Sequence, residues 1–438
     1  MNHIIYYGVD GNRSVSDSKY CELRRQYNDQ KQVIYEAWFD AEGLPQTMGN
    51  TYCAIRREYD EFGNVNVQRF YDGEGNLILN NAGYAVEKDE FRAAKELISS
   101  SFFGVEEEPI LQKNGYAKVE RTLDEAGRTV GEKFFGTDGE PILLSGGYAA
   151  YTRTLDEAGK TIGEAYYGTD GEPILVPNGY ASFTRVLDDQ SRMIRENYFG
   201  TDGKPILRKG GYAGIEQEYD EYGNVNHIVY YGVDGNRSVS DSKYCELRRQ
   251  YNDQKQVVYE AWFDAEGQPQ TTGNTYCAIR REYDEFGNVN LQRFYDGEGN
   301  LILNNAGYAV EKDEFRAAKE LISASYFGVE EEPVLLADGY ASLTRELNEN
   351  GKTIIESYFG LDGEPVNIKK GYASVKRDLD AEGKTLAEYY YDASGAPAEK
   401  VAKAEYTYAD GKVSETRYYN AQGVEVKQDG SPLESENT

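Results

Sequence analysis

Between Gly147 and Gly179 the chain reads GYAAYTRTLD, EAGK, TIGEAYYG, TDGEP, ILVPNG. The Asp-x-x-Gly cluster (156–159) and the Asp-Gly pair (170–171) are turn chemistry. Asp favours the first position of a type I turn, and Gly takes the following residue at φ > 0. The flanking runs are rich in Tyr, Thr, Ile and Val and alternate with period two, so they read as strands. The unit is therefore a β-hairpin followed by a short third extended piece after Pro173. Counted from Tyr148, one face carries Ala149, Tyr151, Arg153 and Leu155, apolar except for the arginine. On the second strand Ile162, Glu164 and Tyr166 share a face, again with one charge.

The unit repeats. The second member of an aromatic pair falls at Tyr7, Phe39, Tyr71, Phe103, Phe135, Tyr167, Phe199 and Tyr231, in steps of 32. The steps continue to Tyr391, and a last one of 28 reaches Tyr419. A second series runs from Tyr20 to Tyr372 with the same step. Over this is laid a larger copy: Asn2–Pro109 recurs as Asn226–Pro333 with seven differences, an offset of seven units. An uninterrupted period predicts one quasi-one-dimensional stack. The expected fold is all-β, an elongated solenoid-like array of about thirteen 32-residue hairpins over residues 1–427 with a polar tail at 428–438. The chain opens in the middle of a unit, which reads as a fragment of something longer.

The arginine and the glutamate change together. Arg stands with Glu at 25/36, 121/132, 153/164, 185/196, 249/260, 345/356 and 377/388. Gln replaces the acid at Arg57/Gln68 and Arg281/Gln292. Where Arg is missing the acid is missing too: Asp89/Ser100, Gln217/Ile228 and Asp313/Ala324. An unpaired charge on a buried face is costly, so the pairs Arg25–Glu36, Arg121–Glu132, Arg153–Glu164, Arg185–Glu196, Arg249–Glu260, Arg345–Glu356 and Arg377–Glu388 are expected to bridge their hairpins. A two-residue loop puts 153 opposite 164; a three-residue loop with a Gly bulge shifts the register by one. One unit type departs from the pattern. Its stretch DEFRAAKEL (89–97) has helix-forming composition and Lys95 in place of the turn glycine, predicting a helical turn or a distorted hairpin.

Composition narrows the function. A net charge of −29 argues against nucleic acid and anionic membrane surfaces. No apolar run approaches a membrane span, and the start has no signal-peptide pattern. His3 and His227 are duplicates of one position and read as surface strand residues. Cys21, Cys53, Cys245 and Cys277 occupy a slot that is elsewhere Ala, and read as small buried residues. A disulfide between neighbouring units requires an advance of one strand per unit, since an advance of two, about 10 Å, is too far. The acidic turns offer oxygens to Ca²⁺ but lack the spacing of calcium loops, so no cofactor is assigned and calcium is the one candidate metal. Periodic tyrosines either pack across strands or form an exposed ladder for sugar rings. The candidate stacking residues are Tyr116, Tyr148, Tyr167, Tyr180, Phe199 and Tyr212, placed on the face opposite the arginines. No GxSxG, P-loop, HExxH or GxGxxG-before-helix motif is present.

The segments REYDEFGNVNVQRFYDGEGNLIL (57–79) and QEYDEYGNVNHIVYYGVDGN (217–236) resemble the Tyr-Asp repeats of Rhs and teneurin-type proteins. That resemblance implies hairpins that coil into the β-sheet shell of a large secreted or surface protein. YYGTDGEPILVPNGY (166–180) is similar to aromatic cell-wall and glucan-binding repeats, which implies choline or glucan as ligand. The reading that follows is a non-catalytic extracellular or bacterial surface repeat protein, a spacer or adhesin contacting polysaccharide or another surface protein. A carbohydrate-binding module and a fragment of an Rhs-like shell are the alternatives.

Overall fold

The computed structural model describes residues 2–15, 19–47 and 49–433. Among them are 28 β-strands and no helix. The chain divides into two compact units: Met1–Glu216 with Tyr231–Asn236, and Gln217–Tyr230 with Arg237–Thr438. Within each unit the strands form an antiparallel meander in which each strand pairs with its neighbours in sequence. In the first unit, for example, Ala150–Leu155 lies between Thr129–Phe135 and Thr161–Tyr167. In the second, Ser342–Leu347 lies between Leu321–Phe327 and Thr353–Phe359.

Each repeat contributes two strands. The hairpin Ala150–Leu155/Thr161–Tyr167 closes through Asp156 N–H to Lys160 O at 2.9 Å and Gly159 N–H to Asp156 O at 3.0 Å. The Asp156 carboxylate accepts the Lys160 N–H at 2.8 Å, the turn role its residue type predicts. Gly159 has φ +82°, a conformation that costs other residues about 1–2 kcal/mol. Between the preceding hairpin and this one the chain makes two tight turns. Gly136 N–H to Glu140 O at 2.8 Å closes the first, and the third extended piece is a single bridge, Phe135 with Pro141. Leu144 N–H to Tyr148 O at 2.9 Å closes the second.

Register is set by two compensating irregularities. The loop is the three-residue Gly type, which by itself would offset Arg153 from Glu164. A bulge between Thr154 and Leu155, at Ile162 on the opposite strand, shifts the ladder back, and Arg153 faces Glu164 directly. The same shift occurs at Val186/Leu187 and Glu346/Leu347. Of the two loops foreseen as alternatives the three-residue one is present, and the added strand bulge restores the facing register of the two-residue one.

The DEFRAAKEL unit is a distorted hairpin. Val86–Ala93 and Glu96–Phe103 pair with two register shifts instead of one, and Ala93 faces Glu96. Lys95 takes the left-handed turn position at φ +66°. Its N–H is accepted by Asn64 Oδ1 of the preceding hairpin at 2.8 Å. Helix propensity loses to the pairing offered by neighbouring strands. The 28-residue step is also explained. In place of Phe134 N–H to Ala149 O, the late unit closes Tyr390 N–H to Ala402 O, so three of the four missing residues lie in the second tight turn; the fourth lies in the next hairpin loop, where Ala409 faces Lys412. Residues from 428 do not leave the array at once: Lys427 N–H bonds to Ser431 O at 2.8 Å and Val426 bridges Pro432.

The core of each unit is a run of rings. In the first, Trp38, Tyr52, Phe70, Tyr84, Phe102 and Tyr116 follow one another, and the run continues to Tyr212, with neighbouring centroids 4.7–6.3 Å apart. In the second, a run from Trp262 to Tyr390 keeps 4.7–6.1 Å. These tilted and edge-on contacts suit aromatic quadrupoles.

Candidate functional site

The repeated element with the most chemistry is the cross-strand pair. Arg Nε donates to the facing Glu in all seven hairpins that carry both, at 2.5–3.0 Å. Arg57–Gln68 and Arg281–Gln292 are longer, 3.3 and 3.2 Å. In six of the seven pairs the acid is the more buried partner: Glu164 is 12% exposed and Glu196 10%. Neighbouring tyrosines complete the coordination, as where Tyr358 donates to Glu356 and Tyr390 to Glu388. Burial and the carboxylate together push the Tyr358 hydroxyl far above its ordinary value. The network holds protons in place and presents no nucleophile.

The aromatic candidates separate into two groups. Tyr116, Tyr148, Tyr180 and Tyr212 lie in the ring run, on the side of the arginines and not opposite to it. Tyr148 packs at 5.1 Å from Tyr166 and 6.2 Å from Tyr151. The alternation was counted from Tyr148, but the strand begins only at Ala150, after a bend at Ala149. Period two has no force outside the strand. Tyr167 and Phe199 do sit on the other face, half-buried; the Tyr167 hydroxyl lies 3.2 Å from Thr152 Oγ1. The other rings of the run are the first members of the aromatic pairs, such as Phe134 and Tyr166; the sequence puts Tyr166 on the apolar face but does not mark it as a member of a run. Their alternation with Arg153 and Glu164 was the available signal.

The cysteines are free and buried. The two-strand advance per repeat carries them past disulfide range. Cys21 and Cys245 donate weakly to the Tyr6 and Tyr230 carbonyls. Burial pushes the Cys53, Cys245 and Cys277 thiols up. Among the described residues no three His, Cys, Asp or Glu side chains gather as metal ligands. Turn aspartates such as Asp138 and Asp170 are engaged by main-chain N–H groups.

Two acidic clusters went unread in the sequence. Glu22 and Glu246 are 1% and 0% exposed. Glu246 accepts from Arg248 Nε at 2.5 Å and Arg237 at 2.6 Å, with His227 Nε2 at 2.9 Å. Glu22 has the same set in Arg24, Arg13 and His3. The histidines are therefore partners of buried acids, not plain surface residues. The Arg24 hydrogen bond holds Glu22 below the usual carboxylate range. For Glu246, burial acts upward, and the bonds from Arg248 and His227 outweigh it.

In the second cluster, Glu87 with Asp89 and Glu311 with Asp313 lie two apart on one strand face. Tyr84 and Tyr308 donate to the glutamates at 2.9 Å. Asp89 Oδ1 and Asp313 Oδ1 are buried without a hydrogen-bond partner. Burial, then Glu311, pushes Asp313 up to about 7. Burial also raises Asp89, where the Ser100 hydroxyl pulls the other way; Ser100 is Ala324 in the second copy. Asp thus occupies the arginine slot without a facing base.

The Tyr-Asp-x-x-Gly motif sits on hairpin turns, at Tyr59–Gly63 and at Tyr283–Gly287, where Asp60 and Asp284 each accept main-chain N–H groups. No family model and no curated protein matches the sequence. Among solved structures the chain is similar to the crystal structure of TcdB2-TccC3, at 11% identity over 93% of this chain and 22% of that one, with a TM-score of 0.29. It is also similar to TcdB2-TccC3-TEV, at 12% identity over 98% and 23%, TM-score 0.34. A third similarity is to a chain in the structure of the Photorhabdus luminescens Tc holotoxin pore, which carries a mutation in TccC3, at 12% over 91% and 22%, TM-score 0.28. The chain spans less than a quarter of the length of these three chains.

Proposed function

We propose that this chain is a wall segment of an Rhs-type Tyr-Asp-repeat shell, a non-catalytic structural module of an extracellular protein that associates with other protein chains. The observation that carries the reading is the recurring register of successive hairpins. Most repeat the same turn, the same bulge and the same cross-strand Arg–acid slot, as the stacked units of a wall would. The Arg–Glu pairs are satisfied internally, by Arg–Glu and Tyr–Glu bonds. Electron microscopy of the chain with its native flanking sequence tests this. A curved wall enclosing a volume supports it, and a straight rod with no enclosed space overturns it.

Polysaccharide binding is the weaker reading. Four of the six candidate rings have their faces against other rings. Only the Tyr167 and Phe199 face is left for sugars. Saturable binding of a cell-wall glycan that is lost on Tyr167→Ala and Phe199→Ala would favour it.

A further inference from the structure

Two neighbouring repeats, compared position by position, show an arginine that has kept its place and lost its acid. In the first repeat Glu22 is held by His3, Arg13 and Arg24. One period later those four positions are Ala54, Tyr35, Pro45 and Arg56. The duplicated segment repeats the change: Glu246, His227, Arg237 and Arg248 become Ala278, Tyr259, Pro269 and Arg280. The carboxylate is replaced by a methyl group, and only the guanidinium remains.

Arg56 is exposed and lies 5.7 Å from the ring centroids of both Tyr35 and Tyr71. Arg280 lies 5.2 Å from Tyr259. Among the described residues neither guanidinium forms a side-chain hydrogen bond or an ion pair, and the residues opposite them on the next strand are also arginines, Arg69 and Arg293. In a chain of net charge −29 that is unusual. A guanidinium stacked on rings keeps its edge N–H groups free for a bidentate acceptor. Register explains the space beside it. Ala37 faces Ala54 directly, between the Tyr35–Arg56 pair and the Ala54–Tyr71 pair. Two opposed methyl groups between tyrosines leave a dent, closed at one end by Pro45. It measures about 230 Å³ there and about 420 Å³ in the second copy. Tyr stands at the position of Tyr35 only in these two repeats.

We propose that each dent binds a small organic monocarboxylate with an apolar body. The carboxylate takes the place that Glu22 and Glu246 hold one repeat earlier, paired to Arg56 or Arg280. The body lies on the alanine pair between the tyrosines. Asp72 and Glu74, and Asp296 and Glu298, line the rim and disfavour a dianion such as phosphate. There are two sites per chain, one in each compact unit, and the inference stands apart from the shell reading.

The test is isothermal titration of the full chain with 3-phenylpropionate, in parallel with 3-phenylpropionamide and inorganic phosphate. The expected result is saturable binding at two sites, with the amide and phosphate at least about tenfold weaker, the scale of a charge-assisted hydrogen bond. Arg56→Gln with Arg280→Gln removes the anchor, and Ala54→Glu with Ala278→Glu supplies an internal carboxylate. Each double variant is expected to weaken binding about tenfold or more, with near-ultraviolet circular dichroism unchanged. Because Arg56 and Arg280 are exposed, the glutamine variant remains informative if the glutamate variant fails to fold. Absence of saturable heat, equal affinity for the amide or phosphate, or unchanged affinity in the glutamine variant would each overturn the proposal.

Discussion

Replacing Asp313 by Asn removes an acid that the fold holds in the wrong charge state for neutral pH. Its carboxyl is pushed up to about 7 from an ordinary 3.8, by burial first and by Glu311 second, while Arg345 acts weakly the other way. The native state therefore keeps a proton that the unfolded chain has released. Stability contributed by this group is present in full below about pH 4. It is lost as pH rises toward 7 and changes no further above that. The gap of about three pH units at about 1.4 kcal/mol each gives about 4 kcal/mol. Solvent screening of a half-buried group reduces this to about 2 kcal/mol. Asp313→Asn should accordingly be more stable than the parent by about 2 kcal/mol at pH 8 and equal to it near pH 4. Opening is local in a repeat array. The assay is therefore hydrogen exchange of the strand amides of Val310–Phe315 between pH 4 and 8, beside urea denaturation. The duplicated segment supplies a control: Asp89→Asn should gain less, because Ser100 offsets its burial. A gain at pH 8 equal to that at pH 4, or no gain at either, refutes the reasoning.

Other substitutions probe the remaining features. Arg153→Leu alone should destabilise by about 2–3 kcal/mol in urea, while Arg153→Leu with Glu164→Leu should cost less than 1, since a lone buried acid is the costly state. Glu246→Gln leaves Arg237 and Arg248 facing a neutral group and should cost about 2–3 kcal/mol, read as faster exchange in Glu246–Tyr251. Ser191 holds φ +61° at the position of Gly159, so Ser191→Gly should raise the urea midpoint by about 1 kcal/mol of stability; no change would mean the turn is unstrained. The four thiols should react with Ellman's reagent slowly in buffer and at once in urea, because all are buried.

The period, the two-strand unit and the Arg–acid register pair were legible because they repeat, and repetition exposes which positions vary together. What stayed hidden depends on relations the period does not carry. The face of Tyr148 required knowing where the strand starts. The register of Arg153 and Glu164 required two irregularities that cancel, neither marked by a distinctive residue at Ile162. The Glu246 cluster joins Arg237, from a turn, to a strand glutamate and to a histidine of the preceding strand. Period-two counting treats each of these separately. The helical composition of DEFRAAKEL misled because propensity is a weak preference beside an adjacent open strand.

The shortened late repeat has a consequence for how such a chain can change. Three residues are absent from the second tight turn and a fourth from the hairpin loop after it, where Ala409 faces Lys412, yet Lys403–Ala409 still pairs with Thr385–Tyr391 in antiparallel order. Within a strand a single-residue deletion would turn every following side chain over. The connector, by contrast, absorbs a change in length without disturbing the strands on either side. Insertions and deletions should therefore accumulate there during divergence, and the same connector is the position at which a foreign segment could be spliced into the chain with the ladder intact.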